Sequence, residues 1–250
     1  MSVAATPWDA NTYDRSSQPQ QAWAAGVLAR LDGVARDATV LDVGCGTGRV
    51  TETLLALVPQ GRVLAIDASA DMVALARTRL GDRAQVWCQD ALQLELDEAV
   101  DVIVSTAALH WVGDHDRLWR LLARALRSGG VLEAQCGGEG NIAGVRQVID
   151  TVASELAPEL VGWSPWVFAG PQETTQRLHD SGFEAARCWL EERPTYPEDV
   201  DAFVRTSILA AHLQRLPVER REGFAAAVVA AVQLPLDYVR LNVSATRRAG

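Results

Sequence analysis

Three acids and three closely spaced glycines in the first half of the chain have the types and spacing of a ligand cradle. The stretch Val40-Leu41-Asp42-Val43-Gly44-Cys45-Gly46-Thr47-Gly48 is an apolar run that ends in an acid and then in glycines two apart, and a helical pattern from Val50 to Val58 follows at once. A buried strand turning sharply into a helix has this form. A backbone that reverses within a few residues needs positions tolerant of positive φ, and a ligand touching the main chain needs positions without a Cβ; Gly44 and Gly46 serve these needs. Gly48 is expected to let the first helical turn sit close to the strand, where the helix start offers free N–H groups. The register narrows the ligand. A dinucleotide fingerprint would carry its third glycine where this chain has Arg49, and a phosphate-cradling P-loop would need a Gly-Lys-Ser/Thr that is absent, so both phosphate readings are disfavoured. Asp67 closes the next apolar run, and a carboxylate there can accept two hydrogen bonds from a diol. Asp90, with Ala91 beside it, follows a third short run.

Strands and helices must alternate to bring these residues together. Strands are predicted over Val40 to Val43, Arg62 to Asp67, Gln85 to Gln89, Ala99 to Val104, Val131 to Cys136, Glu184 to Glu191 and Leu236 to Thr246. The helices between them run from Asp71 to Leu80 behind a Ser69 cap, and from Asp114 to Leu126 before a Gly129-Gly130 break. This order implies right-handed crossovers and a mostly parallel, doubly wound α/β sheet whose strand C-termini carry the site. Before the first strand, Gln20 to Leu31 reads as a covering helix. Beyond the fifth, Ile142 to Leu156, Pro171 to Ser181, Pro197 to Leu213 and Val218 to Val232 read as helices.

The glycine turn together with Asp67 and Asp90 resembles the class I S-adenosylmethionine-dependent methyltransferases, most strongly between Val40 and Val131. The resemblance implies a Rossmann-like sheet of seven strands, the seventh antiparallel and inserted between the fifth and sixth, with a helical cap. One domain over 1–250 is expected: a lid at 1–35, a cofactor core at 36–136, cap insertions at 137–170 and 192–235, and 171–191 with 236–250 completing the core. S-adenosylmethionine is then the cofactor and S-adenosylhomocysteine the product. Asp67 would bind the ribose hydroxyls, Ala68 and Met72 would border adenine, and Asp90 would accept from the adenine amino group while Ala91 adds a backbone contact. Asp42, at the mouth of the turn, would orient backbone and water near the ligand amino group; Gly44, Cys45, Gly46 and Gly48 form the turn. Ser105 borders the methionine tail, and Tyr13 and Gln21 approach it from the lid.

The run Ser105 to Trp111, with Asp114-His115 after it, is similar to the small-molecule group that includes trans-aconitate methyltransferases. Leu126-Arg127-Ser128-Gly129-Gly130 resembles a family turn in which Ser128 replaces proline. His110 is the leading polar candidate beside the acceptor, with Tyr13 as a second; His115 reads as a helix-start or surface residue. Trp111, Trp163, Trp166 and Phe168 are expected to line a substrate cavity. Arg146, Arg177, Arg187 and Arg205 are candidate carboxylate anchors, and the sequence does not choose among them. The reaction expected is in-line displacement, in which alignment and exclusion of water supply most of the protein's contribution. A carboxylate acceptor would need no general base, whereas a phenol or carbon acid would. The resemblance favours carboxylate O-methylation of a small molecule. C-methylation of a natural-product intermediate, a protein or RNA methyltransferase, and a nonenzymatic S-adenosylmethionine-binding module are the alternatives.

Composition agrees with a globular enzyme. At 250 residues, 48% hydrophobic and 22% charged, the chain can bury a substantial core. A net charge of −9 argues against a general binder of nucleic acid or anionic membrane. The absence of a leader-like or membrane-spanning apolar run leads to a cytoplasmic expectation, with a monomer and a homodimer both open. Cys45, Cys88, Cys136 and Cys188 are scattered singly and four histidines are dispersed, so no metal site is expected. These cysteines fall in predicted strands or at the glycine turn, where a small buried thiol is the ordinary expectation.

Overall fold

A computed structural model describes residues 18–249 of the chain, with side chains described from residue 22. Tyr13 and the side chain of Gln21 lie outside that range.

Seven strands make one sheet in the order β3-β2-β1-β4-β5-β7-β6. They are β1 (Thr39–Val43), β2 (Arg62–Asp67), β3 (Gln85–Cys88), β4 (Val100–Thr106), β5 (Leu126–Gly137), β6 (Phe183–Glu192) and β7 (Val239–Arg247). Neighbours are parallel from β3 through β5; β7 runs antiparallel between β5 and β6. The expected doubly wound sheet with an inserted antiparallel last strand is therefore present. Val40 to Val43 are all buried, as a central strand covered on both faces requires. The strand order reverses between β1 and β4, and the crevice at the C-terminal ends of these two strands is where such sheets take ligands.

Two helical layers cover the sheet. On one face α4 (His115–Ala125) and α6 (Pro171–Asp180) pack Leu118, Trp119, Leu122 and Leu178 against Leu41, Ile103, Leu132 and Phe183. On the other, α1 (Gln18–Ala29) and α2 (Arg49–Leu57) set Val27 and Leu54 against Val40, Val63 and Val104. On that same face, along the β2 and β3 edge, lies α3 (Ala70–Leu80), which packs Val73, Ala76 and Leu80 on Ala65 and Val86 and is capped by the Ser69 hydroxyl, which accepts from Met72 N–H. A further apolar cluster joins α5 (Ala143–Leu156) to α9 (Val218–Ala231) through Val145, Ile149, Phe224 and Val228, and takes in Trp23 and Tyr238. These helices form the cap.

Several expected features differ. The helix of α4 stops at Ala125, and strand pairing starts at Leu126, so the expected turn at Leu126 to Gly130 is instead the irregular beginning of β5, with a register shift against β4 between Val100 and Val102. The predicted helix over Pro197 to Leu213 is broken. It consists of α7 (Val200–Phe203), a π turn over Val204–Ile208 closed by Leu209 N–H to Val204 O at 2.8 Å, and α8 (Ala210–Arg215). The last strand starts at Val239; Leu236 makes only an isolated bridge to Thr195. Finally, Cys88 is exposed because β3 is a sheet edge, while Cys45 and Cys136 are buried.

Candidate functional site

The glycine turn is held from below by β2. Gly44 N–H and Cys45 N–H both donate to Ile66 O, at 2.8 and 3.0 Å. Gly44 adopts φ 75°, and a Cβ there would stand 2.2 Å from the Cβ of Ala108, so this glycine is required by the loop after β4 pressing on the turn. Gly46 differs. A Cβ there would meet nothing within 4 Å, which leaves its backbone open to a ligand. Gly48 serves helix packing, as expected, but against α3 and not the strand: its Cβ would lie 3.0 Å from Leu80 and 3.3 Å from Ala76.

Asp67 straps the turn to the next helix. Its Oδ2 accepts from Gly46 N–H at 2.9 Å and its Oδ1 from Ser69 N–H at 2.8 Å. Burial pushes its pKa up and the two backbone donors pull against that rise. Each carboxylate oxygen has a second lone pair, so the same group can still accept from a diol. Ala68 is exposed and Met72 buried on either side of this strap. At the end of β3, Asp90 Oδ1 accepts from Leu92 N–H at 2.9 Å and so caps a short turn that begins at Ala91.

Asp42 lies deeper than a mouth position. It is fully buried, with Oδ2 accepting from the Thr51 hydroxyl at 2.7 Å; among the described residues, none hydrogen-bonds Oδ1. Burial raises its pKa to about 7, with the Thr51 hydrogen bond opposing and the nearby Asp67 charge adding to the rise. A buried carboxylate oxygen without a donor among the described residues, near a second acid that has lone pairs to spare, suits a ligand that brings its own positive charge and its own hydroxyls.

The loop after β4 presses on the glycine turn through Ala108. Ser105 is buried, and its hydroxyl donates to Val43 O at 2.7 Å, stapling β4 to the end of β1. Ala107 is held at φ 55°, a left-handed conformation rare for a residue with a Cβ, and its N–H donates to Gln135 O at 2.7 Å. This strained residue and Ala108 beneath Gly44 carried no sequence signal. His110 follows, buried, with Nδ1 accepting from Gly137 N–H at 3.2 Å. A ring that accepts at Nδ1 is neutral with its proton on Nε2. Burial first, then the charges of Arg240 and His115, hold its pKa well below the ordinary imidazole value. His110 thus presents a donor, not a base. His115 is a helix-start residue but is buried, with Nε2 against Leu109 O at 3.1 Å.

Aromatic rings gather on His110. Trp111 and Phe168 lie 5.4 and 5.8 Å from its ring, Trp166 stacks on Phe168 at 5.5 Å, and Val167 N–H donates to His110 O at 2.8 Å. Gly137 permits this approach, because a Cβ there would sit 2.6 Å from the Phe168 ring. Trp163 stands farther out, against His212 and under Arg215. Two of the candidate anchors are committed elsewhere. Arg177 pairs with Asp116 and Glu173, and Arg205 with Asp201 and Glu222. Arg187 lies over Trp189, a fellow residue of edge strand β6, and exposed Arg146 lies over Phe168 at 5.9 Å. Arg240, which the sequence reading passed over, is buried under α1 with its guanidinium 4.6 Å from the Trp23 ring centre.

Comparison with known proteins agrees with this geometry. A family described as a methyltransferase domain matches residues 40–130. An uncharacterized methyltransferase of Schizosaccharomyces pombe is 31% identical over 199 residues, 75% of each chain. A malonyl-[acyl-carrier protein] O-methyltransferase of Bacillus anthracis is 35% identical over 125 residues, covering 48% of this chain and 46% of that protein. A trans-aconitate 2-methyltransferase of Azoarcus sp. is 39% identical over 130 residues, 51% of this chain and 50% of that protein. The match thus spans about half the length of these last two. Among solved structures, a phosphoethanolamine N-methyltransferase of Haemonchus contortus in complex with S-adenosyl-L-methionine superposes with a TM-score of 0.63 at 18% identity, covering 96% of this chain and 57% of that one.

Proposed function

The chain belongs to the S-adenosylmethionine-dependent methyltransferases, and from that premise we propose that it O-methylates a carboxylate on a small-molecule acceptor. The carrying observation is the tautomer of His110. With Nδ1 accepting from Gly137 N–H, the buried neutral ring offers Nε2–H to whatever lies beside it. A phenol, an amine or a carbon acid needs a proton removed, and this ring is set to donate. A carboxylate arrives already ionised and needs only to be held. The relatives named for malonyl-[acyl-carrier protein] and trans-aconitate support the same acceptor class.

The residues divide the work accordingly. When bound, S-adenosylmethionine supplies a methyl group already activated on a sulfonium, with S-adenosylhomocysteine as the leaving product. Asp67 and the open backbone of Gly46 hold the ribose end, Asp90 and Ala91 lie toward adenine, and Asp42 Oδ1 receives the cationic end. His110 Nε2–H steadies one carboxylate oxygen, and Trp111, Trp166 and Phe168 exclude water along the approach. That aromatic wall also favours a second reading, C-methylation of an apolar acceptor. Such an acceptor would require a base that this His110 tautomer does not provide.

Labelled methyl transfer across a panel of carboxylic acids, phenols and carbon acids tests the proposal. Label in a product that mild alkali hydrolyses, found with acids alone, is expected. Label only on phenols or carbon would overturn it.

A further inference from the structure

We propose that Arg146 is a specificity residue of the acceptor site and binds a second carboxylate, at the far end of the acid from the group that His110 steadies. The inference rests on the carboxylate reading above and deepens it: the preferred acceptor is a diacid. Arg146 follows Val145 of the buried stripe of α5 and is itself exposed. That helix is fixed at two points. Gly144 N–H donates to Asp237 Oδ2 at 2.7 Å, and Asp150 Oδ1 accepts from Gly162 N–H at 2.9 Å, at the head of the stretch that carries Trp163, Trp166 and Phe168. The acid one turn from Arg146 is thus engaged with the aromatic segment, and among the described residues no carboxylate pairs with the Arg146 guanidinium.

Its surroundings are those of a subsite. The guanidinium carbon of Arg146 is 5.9 Å from the centre of the Phe168 ring, and the same ring is 5.8 Å from that of His110. Arg146 also borders two hollows that share Asp150: an open groove of about 540 Å³ along α5, lined as well by Gln147 and Thr151, and a narrow one walled by Trp163, Trp166 and His212. A cation at an open groove, one ring away from His110, meets the far end of an acceptor whose chain runs along Phe168. Electrostatics give the position its meaning. The chain carries a net charge of −9, and the glycine-turn side of the sheet holds Asp42, Asp67 and Asp90, so a doubly negative acceptor is repelled by most of the molecule. Arg146 opposes that repulsion locally, and its planar fork matches a carboxylate. An uncharged far end gains nothing from it, and an ammonium is repelled. The other arginines lack this combination: Arg177 and Arg205 are paired, Arg187 lies over Trp189 on edge strand β6, and Arg215 stands over Trp163, farther out.

The full-length protein is assayed for labelled methyl transfer to the straight-chain diacids from malonate to adipate, to the monoacids of the same carbon number, and to the acids that carry an ammonium in place of the second carboxylate. The wild type should favour the best diacid over its monoacid by about tenfold in kcat/KM, the worth of one charge-assisted pair. Arg146→Gln should erase that preference through KM, with kcat and the calorimetric affinity for S-adenosylmethionine nearly unchanged. Arg146→Glu should invert it and take the ammonium-bearing acid over the diacid. Added salt should shrink the wild-type preference, because the guanidinium is exposed. Arg215→Gln, at the neighbouring exposed guanidinium, should leave the preference intact. A diacid preference that survives in both Arg146 variants, or that is lost in Arg215→Gln instead, overturns the inference, and so does a wild type that takes monoacids as readily as diacids. No methylation of any acid by the wild type would sink the carboxylate reading itself, whereas methylated acids with indifferent Arg146 variants sink the subsite alone.

Discussion

Binding of S-adenosylmethionine should expel a proton, and Asp42 is its source. Its carboxyl is fully buried, one oxygen takes the Thr51 hydroxyl, and burial lifts its pKa to about 7. A pKa raised on folding contributes stability that is complete below the unfolded value of 3.8 and is lost as pH rises through about 7. The full swing is on the order of 4 kcal/mol at roughly 1.4 kcal/mol per pH unit. A cationic ligand against Oδ1 reverses this, since it favours the carboxylate. The free protein has Asp42 about one tenth ionised at pH 6 and about one half at pH 7, so the affinity should rise about fivefold across that interval. Over the same range the ligand's own amino group stays protonated. Calorimetry in two buffers of different ionisation enthalpy should count close to one proton released at pH 6. In Asp42→Asn, whose amide oxygen can still accept from Thr51, both the proton release and the pH slope should vanish, and the ligand-free protein should lose its stability decline between pH 4 and 7. Proton release that is absent in the wild type, or unchanged in Asp42→Asn, would refute the assignment.

Three further outcomes follow from the same geometry. Gly44→Ala forces a Cβ to 2.2 Å from Ala108 at φ 75°; thermal melts should show a loss of about 2–4 kcal/mol, and Ala108→Gly should restore only part of it because the backbone strain remains. Asp67→Ala removes acceptors from Gly46 and Ser69 as well as from the ribose, so calorimetry should show cofactor affinity falling about a hundredfold, with Asp67→Asn intermediate. His110→Ala should lower kcat by about ten- to a hundredfold with cofactor affinity nearly unchanged. The wild-type pH–rate profile should carry no limb near 6.5 from this ring, because burial keeps it neutral; such a limb, lost in His110→Ala, would contradict the donor role.

What was legible in the sequence was local. β1 and β2 show as apolar runs closed by acids, and β2 has the predicted bounds of Arg62 and Asp67 because its four apolar residues are buried and its polar ends are not. Gly129-Gly130 reads as a turn for the same local reason, yet Leu126 already pairs with Val100 of β4, and the residues before Val131 form an irregularity within β5. The tautomer of His110 depends on an N–H 27 residues away, and Gly137, which supplies it, looked like part of a loose connection. Arg240 was passed over because charged residues ordinarily stay at the surface, and its burial follows from a strand insertion that no periodicity reveals. Arg177 and Arg205 entered as anchors for want of their partners, all of which lie on exposed helical surfaces that a linear reading cannot rank.

The polar side chains around the glycine turn are already employed in building it. Ser105 ties β4 to β1, Asp67 ties the turn to α3, Thr51 ties α2 to Asp42, and Asp90 caps its own loop. A ligand therefore meets a cradle whose geometry is set beforehand, and under the proposed reading it is held by the second lone pairs of acids that the fold has fixed. Preorganisation of this kind lowers the ordering cost of binding. It also makes each acid hard to interpret by deletion, since removing the carboxylate loosens the turn along with the ligand. Substitutions that keep the internal hydrogen bond and remove only the charge, such as Asp42→Asn, separate the two roles. The acceptor side is arranged differently: His110 spends one nitrogen on Gly137, and the rings of Trp111 and Phe168 gather on it. Donor recognition is thus written into the turn's own construction. The surroundings of His110, by contrast, are set by sheet topology more than by the motif.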